Sequence, residues 1–318
     1  MRHTIIRSTL RSFFLLLGLL AVSASASAYD AIYIFGDSLS DTGNAQILTN
    51  GQAPSRFSNG IVAVDVVAGS YGMQAIPFLA GGNNYAIGGA RAVGSETEFD
   101  TNLPIQVNTY LQQSGQTADA DALYIVIIGG NDLFDAQKIR ATSVPEDSGK
   151  ARQDIRKAAE QRVTDAVLSV ELQLTKLVLA GARHIVVGNA PDIALAPATD
   201  QLTGYLSASA DDHQEAKRAG KFYKYSSRLA AQFNEELAAA IARVETAADL
   251  DIAEWDLADF LSNQIEDADV LGYTNTEDAC TDSGALPDCD GFVFFDGVHP
   301  TTVVHQRAGQ NILQLLAQ

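Results

Sequence analysis

Continuous apolar runs and helically spaced apolar positions take turns along this chain. Ala31–Phe35, Leu123–Ile128 ("LYIVII") and His184–Val187 are short and rich in Ile, Val and aromatic residues, and Asp251–Trp255 is a weaker fourth run. Runs that do not alternate with polar residues predict strands buried on both faces, as in a parallel sheet covered by helices. The segments between them carry the 3.6 period instead. Ala151–Leu179 places Ile155, Val163, Val167, Leu168, Leu172, Leu174 and Val178 at helical spacing and meets Gly181, a helix-stop signal. Phe222–Val244 carries a stripe of Leu229, Phe233, Leu237 and Ile241; Thr301–Leu315 closes the chain, and Ile61–Tyr71 is a shorter candidate. Thr142–Gly149 and Gly272–Asp290 are polar, contain Gly or Pro and read as loops. Strand and helix recur with no linker, repeat or composition break, which predicts one α/β domain with a central parallel sheet.

The first residues break this pattern. Arg2, Arg7 and Arg11 precede an apolar stretch, Phe13–Val22, and small residues ending in Ala26-Ser27-Ala28. That is the layout of a secretory signal peptide over residues 1–28, cut after Ala28, with a second cut site at Ala24-Ser25-Ala26. Residues 29–318 are then the mature domain. No later run approaches the ~18 apolar residues of a membrane helix, so no stable membrane anchor is expected.

Charge narrows the partners. Removing the signal takes away three basic residues and no acidic ones, leaving 18 basic against 39 acidic residues, a net charge of −21. Such a chain repels nucleic acid and anionic membrane surfaces. Cys280 and Cys289 are the two cysteines. In an exported chain they read as one disulfide closing "CTDSGALPDC"; two free thiols are the alternative, and two cysteines do not complete a zinc shell.

Candidate chemistry is sought where ligands bind open α/β sheets, beyond the carboxyl ends of the strands. Gly36-Asp37-Ser38 follows the first strand, Gly129-Gly130-Asn131-Asp132 the second, and Gly188-Asn189-Ala190-Pro191-Asp192 the third; "FVFFDGVHPT" brings Asp296 and His299 after a further apolar run. Of five histidines, His299 alone sits three residues after an acid in a loop. That spacing lets a carboxylate fix the imidazole tautomer and leave the other nitrogen as a base. A serine nucleophile needs such a base, its orienter and oxyanion donors. Ser38, His299 and Asp296 can fill the first roles. A helix opening at Gly36-Asp37-Ser38-Leu39, the Asn131 amide and Gly88-Gly89 could supply donors. Ser40 stands where the nucleophile elbow G-x-S-x-G has glycine, which disfavours an ordinary α/β-hydrolase. Asp37, Asp41, Asp132 and Asp192 read as turn braces or helix caps rather than reactants.

Together these blocks are recognisable. "FGDSLSDTGN", "NYAIGGARA", "IGGNDLF" and "FFDGVHPT" resemble, in order, the four blocks of the GDSL, or SGNH, lipases and esterases. "RFSNG", "LPIQVNTYL", "GARHIVVGNAPDIALAP" and "FNEELAAAI" resemble the larger members, which include plant GDSL lipases and bacterial secreted esterases and phospholipase/acyltransferases. The resemblance spans Ala31–Leu315. It implies a flavodoxin-like three-layer α/β/α sandwich and carboxylic ester hydrolysis with Ser38, Asp296 and His299 as catalytic residues. The oxyanion donors would be Ser38, Gly89 and Asn131, with no cofactor and no metal. It also implies a small-molecule or lipid ester as substrate. The signal peptide, and the lack of room for the C-terminal β-barrel of some surface-displayed relatives, predict a free exported enzyme, secreted or periplasmic. Acyl transfer to an alcohol remains open beside hydrolysis. Two other classes compete: a metal-dependent phosphoesterase using Asp37, Asp41, Asn131, Asp132, Asp296 and His299, and a non-catalytic binding protein on the same scaffold.

Overall fold

The computed structural model describes residues 28–94 and 100–318; the expected signal peptide lies, but for its last residue, outside the described residues. In chain order the elements are β1 (Ile32–Gly36), α1 (Asn44–Leu48), α2 (Ala63–Ser70), α3 (Leu103–Gln113), β2 (Leu123–Ile127), α4 (Gly130–Ala141), α5 (Gly149–Ala180), β3 (His184–Gly188) and α6 (Pro197–Ala208). There follow α7 (His213–Ala219), α8 (Phe222–Ala248), β4 (Ala253–Trp255), α9 (Leu257–Glu266), α10 (Ala268–Leu271), β5 (Asn275–Ala279), α11 (Cys280–Ser283), β6 (Phe292–Phe294) and α12 (Thr302–Leu316).

The central sheet is parallel, in the order β1-β2-β3-β4, and Ile34, Ile125 and Val186 lie in one register across its first three strands. All five residues of β2 are buried, which is why its sequence does not alternate. One apolar layer packs against α3, α4, α5 and α8, the other against α2, α9 and α12, giving the three-layer sandwich. Asn83–Tyr85 runs beside the free edge of β1, with the Ile34 N–H donating to the Asn83 carbonyl at 3.1 Å and the Tyr85 N–H to the Ile34 carbonyl at 2.7 Å. The edge is thereby covered.

The stripe on α8 is buried at Leu229, Phe233, Leu237 and Ile241, each contributing on the order of 1.5–3 kcal/mol of apolar burial. On α5 the buried line is Val163, Val167, Val170, Leu174 and Leu177, whereas Leu168 and Leu172 are about half exposed. Those two lie roughly 140° and 180° round the helix from the centre of the buried line, on the opposite face, so apolar character alone misplaced them.

The segment Gly272–Asp290 is not a plain loop. It holds β5, paired with β6, and the short helix α11. The polar run Asn-Thr-Glu-Asp carries no strand signal; pairing with β6 supplies the backbone partners that its side chains do not announce. Cys280 and Cys289 form a disulfide across this segment, with Cα atoms 5.5 Å apart. Among the described residues no helix is long and apolar enough to cross a membrane.

Candidate active site

The site is built at the carboxyl edge of the sheet. Gly36 ends β1 so close to β2 that a Cβ there would strike the Ile127 carbonyl oxygen. Its own polar groups are met by a side chain: Gln106 on α3 accepts the Gly36 N–H at 2.9 Å and donates to the Gly36 carbonyl at 2.8 Å. The chain then turns. The Ser40 and Asp41 amides donate to the Asp37 carbonyl at 3.1 and 3.0 Å, and the Leu39 amide donates to Asp37 Oδ1 at 3.1 Å. The helix expected to open here is a tight turn instead, and α1 starts only at Asn44. Asp37 and Asp41 provide side-chain acceptors for amides that a helix would have carried onward.

His299 lies on the loop after β6, which the Phe295 N–H closes on the His299 carbonyl at 2.8 Å. Its Nε2 is 2.7 Å from Ser38 Oγ. Its Nδ1 is 2.7 Å from Asp296 Oδ2 and 2.9 Å from Oδ1. The Val298 and His299 amides also donate to Asp296 Oδ1, at 2.9 and 2.8 Å. Burial works to raise the Asp296 pKa, but His299 and these amides outweigh it, and the carboxyl stays below its ordinary value. Ser38 and the Asp296–His299 loop, 261 residues apart at the Ser38–His299 contact, thus form one hydrogen-bonded line. A proton on Ser38 Oγ has an acceptor at Nε2, and the carboxylate holds Nδ1 as the donor.

Around Ser38 several amides are committed and a few are not. Asp41 accepts the amides of Gly43 and Asn44 at 2.7 Å each, Ala45 at 2.9 Å and Gly88 at 2.8 Å. The Gly88 N–H is therefore taken. The Ser38 and Gly89 amides have no hydrogen-bond partner among the described residues, and Gly89 and Asn131 line the pocket beside Ser38. Gly89 has φ +81°, a conformation that glycine adopts without strain. Asn131, in the first turn of α4, donates one Nδ2 hydrogen to the Ala90 carbonyl at 2.9 Å, which orients the amide and leaves its second hydrogen.

The other acids act as braces. Asp132 is fully buried and accepts the Ala92 amide and Arg162 Nη2, both at 2.8 Å; burial nevertheless raises its pKa. Asp192 caps the turn Ile193–Leu195 and accepts the Ser227 hydroxyl at 2.8 Å. Asp37 is buried, and desolvation pushes its carboxyl up to about 7, against the Leu39 amide and His299, with Asp132 adding to the rise. Among the described residues no group of three or more His, Cys, Asp or Glu is placed to hold a metal ion. Arg91 pairs with Asp135 and Tyr85 stacks on Phe35 and Phe78 in the core; neither lines the pocket.

A cavity of about 240 Å³ opens beside Ser38 and His299, with Phe57, Phe134, Ile193, Trp255 and Leu257 among its apolar walls. The Phe57 ring lies 5.2 Å from the His299 ring, and a Cβ on Gly88 would collide with it. Phe57 falls within "RFSNG", a block noted in the sequence without a role. His305 also lines the cavity, almost wholly buried; burial, then His299, pushes its pKa down to about 3, so it is neutral. Gln106 falls within "LPIQVNTYL", likewise without a role, since its partners are the backbone of Gly36, 70 residues away.

A family model described as GDSL-like Lipase/Acylhydrolase matches residues 32–312. Among curated proteins, Lipase 1 of Photorhabdus luminescens is 34% identical over 194 residues, covering 59% of this chain and 27% of that protein. The chain thus matches only about a quarter of Lipase 1. Inactive GDSL esterase/lipase-like protein 25 of Arabidopsis thaliana is 25% identical over 336 residues, covering 93% of this chain and 74% of that protein. Phosphatidylcholine-sterol acyltransferase of Aeromonas hydrophila is 25% identical over 358 residues, covering 92% and 93%. The family match takes in every strand of the central sheet and the segments bearing Ser38, Gly89, Asn131, Asp296 and His299, and the chain belongs to the GDSL-like lipase/acylhydrolase family.

Proposed function

We propose that this protein hydrolyses carboxylic esters by nucleophilic catalysis. The observation that carries the reading is the line Ser38 Oγ–His299 Nε2–Nδ1–Asp296, with 2.7 Å at both junctions. Ser38 Oγ attacks the ester carbonyl carbon and its proton passes to His299 Nε2. Asp296 holds the imidazole tautomer and stabilises the imidazolium. The tetrahedral oxyanion is received by the amides of Ser38 and Gly89 and the free Asn131 hydrogen. His299 protonates the departing alkoxide, leaving an acyl group on Ser38. A water molecule, deprotonated by His299, then releases the acid.

The apolar cavity suits an acyl chain or another apolar ester half. The donors and base need no metal or organic cofactor for this sequence of steps. The Cys280–Cys289 disulfide fits an oxidising compartment, which supports a secreted or periplasmic enzyme with residues 29–318 as one hydrolase domain. A second reading is acyl transfer to an alcohol, favoured by the similarity to the Aeromonas acyltransferase. It changes only the acceptor in the second half-reaction.

One similar protein is named inactive, so turnover has to be measured directly. The test is a panel of p-nitrophenyl esters of rising acyl length, with a phospholipid and a choline ester, run on the mature chain and on Ser38→Ala. Wild type is expected to hydrolyse one or more of them, with the variant at background. Equal rates for the two proteins, or no turnover by either, would overturn the proposal. Product analysis with an added alcohol separates hydrolysis from transfer.

A further inference from the structure

The whole chain has a net charge of −18, yet arginines crowd one region of the helical layer. Arg140 ends α4, Arg152 and Arg156 lie in the first turns of α5, and Arg218 lies on α7. Together with Gln214 and Tyr225 they wall a cleft of about 550 Å³. An adjoining cleft of about 340 Å³ shares Arg140, Arg156 and Tyr225 and adds Arg228. Neither cleft shares a residue with the Ser38 cavity.

These cations are poorly neutralised. Arg218 Nη2 is 3.6 Å from Asp147, whose side chain is 88% exposed, and Arg156 Nε is 3.5 Å from Glu160. Arg140, Arg152 and Arg228 make no ion pair with a carboxylate among the described residues. Burial holds the Arg140 pKa below its ordinary value; Arg156 pushes the same way, and Tyr225 and Glu160 oppose it.

The guanidinium groups are held in place by neutral groups. Arg152 Nη1 donates to the Glu146 and Asp147 carbonyls at 2.7 Å each, and Arg218 Nε donates to the Val144 carbonyl at 2.6 Å. The Arg140 guanidinium lies 4.0 Å over the Tyr225 ring and is hydrogen-bonded to Ser143. Tethers of this kind fix the forks without cancelling their charge.

We propose that this cleft binds a phosphoryl group, held by Arg140, Arg152, Arg156 and Arg218. Planar forked donors match phosphate oxygens two at a time. Four arginines against two loose carboxylates leave an excess positive charge suited to a dianion, more than one carboxylate ligand would need. The Gln214 amide adds a neutral donor on the same walls. The cleft is larger than one phosphate, so the remaining space takes the rest of a phosphoester. Free phosphate or a soluble phosphoester, and the headgroup of an anionic phospholipid, share this chemistry.

The experiment uses the full mature chain, the double variant Arg140→Gln/Arg218→Gln, and Arg243→Gln as a control. Arg243 pairs with Glu171 at 2.7 Å, outside the cleft. Inorganic phosphate is titrated calorimetrically at low and high salt. Sedimentation with phosphatidylcholine vesicles, with and without phosphatidic acid, is run in parallel. The wild type is expected to bind phosphate, more weakly as salt rises. The double variant should lose about tenfold or more in affinity and the control should not. Binding to phosphatidic acid vesicles that the double variant loses assigns the site to a lipid headgroup; phosphate binding without vesicle binding assigns it to a soluble ligand. Absence of both in the wild type, or equal binding by the double variant, overturns the proposal. Should the double variant unfold, Arg140→Lys/Arg218→Lys keeps the charge and loses the forks, and a partial loss is expected. Binding is read without ester turnover, so it stands or falls separately from the hydrolase reading.

Discussion

Asp41 and Gly88 are 47 residues apart in the chain, yet Asp41 Oδ2 accepts the Gly88 amide at 2.8 Å. One carboxylate thereby joins the turn that carries Ser38 to the loop that carries Gly89. It also separates two adjacent glycines: the Gly88 amide is consumed, whereas the Gly89 amide has no partner among the described residues and Gly89 lines the pocket.

Asp41→Ala strips the acceptor from four backbone amides at once. Stability should fall by roughly 3 kcal/mol, the scale of losing charge-assisted bonds and stranding buried donors. The rate on a soluble ester should fall on the order of 100-fold, because the Gly89 amide loses its anchor. Asp41→Asn, which keeps part of the acceptor set, should lie between. Chemical denaturation and steady-state kinetics read the two effects; an Asp41→Ala protein with wild-type rate and stability contradicts this account.

Asn131→Ala removes a donor that the Ala90 carbonyl has already oriented. The expected loss is on the order of 100-fold or more in kcat, with KM little changed, because in the proposed mechanism the donor serves the oxyanion rather than the bound ester. The variant should unfold near the wild-type midpoint, since Asn131 is part-exposed and makes one side-chain bond. A loss confined to KM would assign Asn131 to substrate binding instead.

Asp37 links the turn to pH. Its folded pKa is raised to about 7, above its unfolded value of 3.8, so the folded state holds a proton that the unfolded state has lost. Stability therefore falls as pH rises from about 4 to about 7 and then levels off. Asp37→Asn keeps an acceptor for the Leu39 amide and cannot ionise. Its stability relative to wild type should grow across that window and reach roughly 2–4 kcal/mol above it. Unfolding free energies measured across pH test this, and a difference that does not vary with pH rules it out.

The Cys280–Cys289 bond closes a short loop immediately before β6, which leads into Asp296 and His299. A double Cys→Ser variant should lose ~2–3 kcal/mol by the chain-entropy argument for a loop of this size. Its activity should drop at a lower temperature than that of wild type, because the β5–β6 pair supports the His299 loop. Thermal inactivation of the two proteins, each with and without reductant, gives the answer; only wild type should respond to reductant.

What the chain determines locally was readable from it. The apolar runs without alternation are the strands β1 to β3, because burial on both faces demands apolar residues at every position. The stripe of α8 is equally plain, because a helix repeats its burial every 3.6 residues. The candidate residues were legible for a related reason: polar residues directly after buried strands must lie on the sheet's carboxyl edge. Tertiary structure decided what depends on partners distant in sequence. The turn after Gly36 is not a helix, because Asp37 and Asp41 take the amides. Gln106 meets the strand end from α3, and β5 exists through its pairing with β6. That Asp41 takes the Gly88 amide, and that arginines from α4, α5 and α7 share a cleft, follow from folding alone. Local periodicity carries no information about hydrogen bonds and charges brought together from different elements.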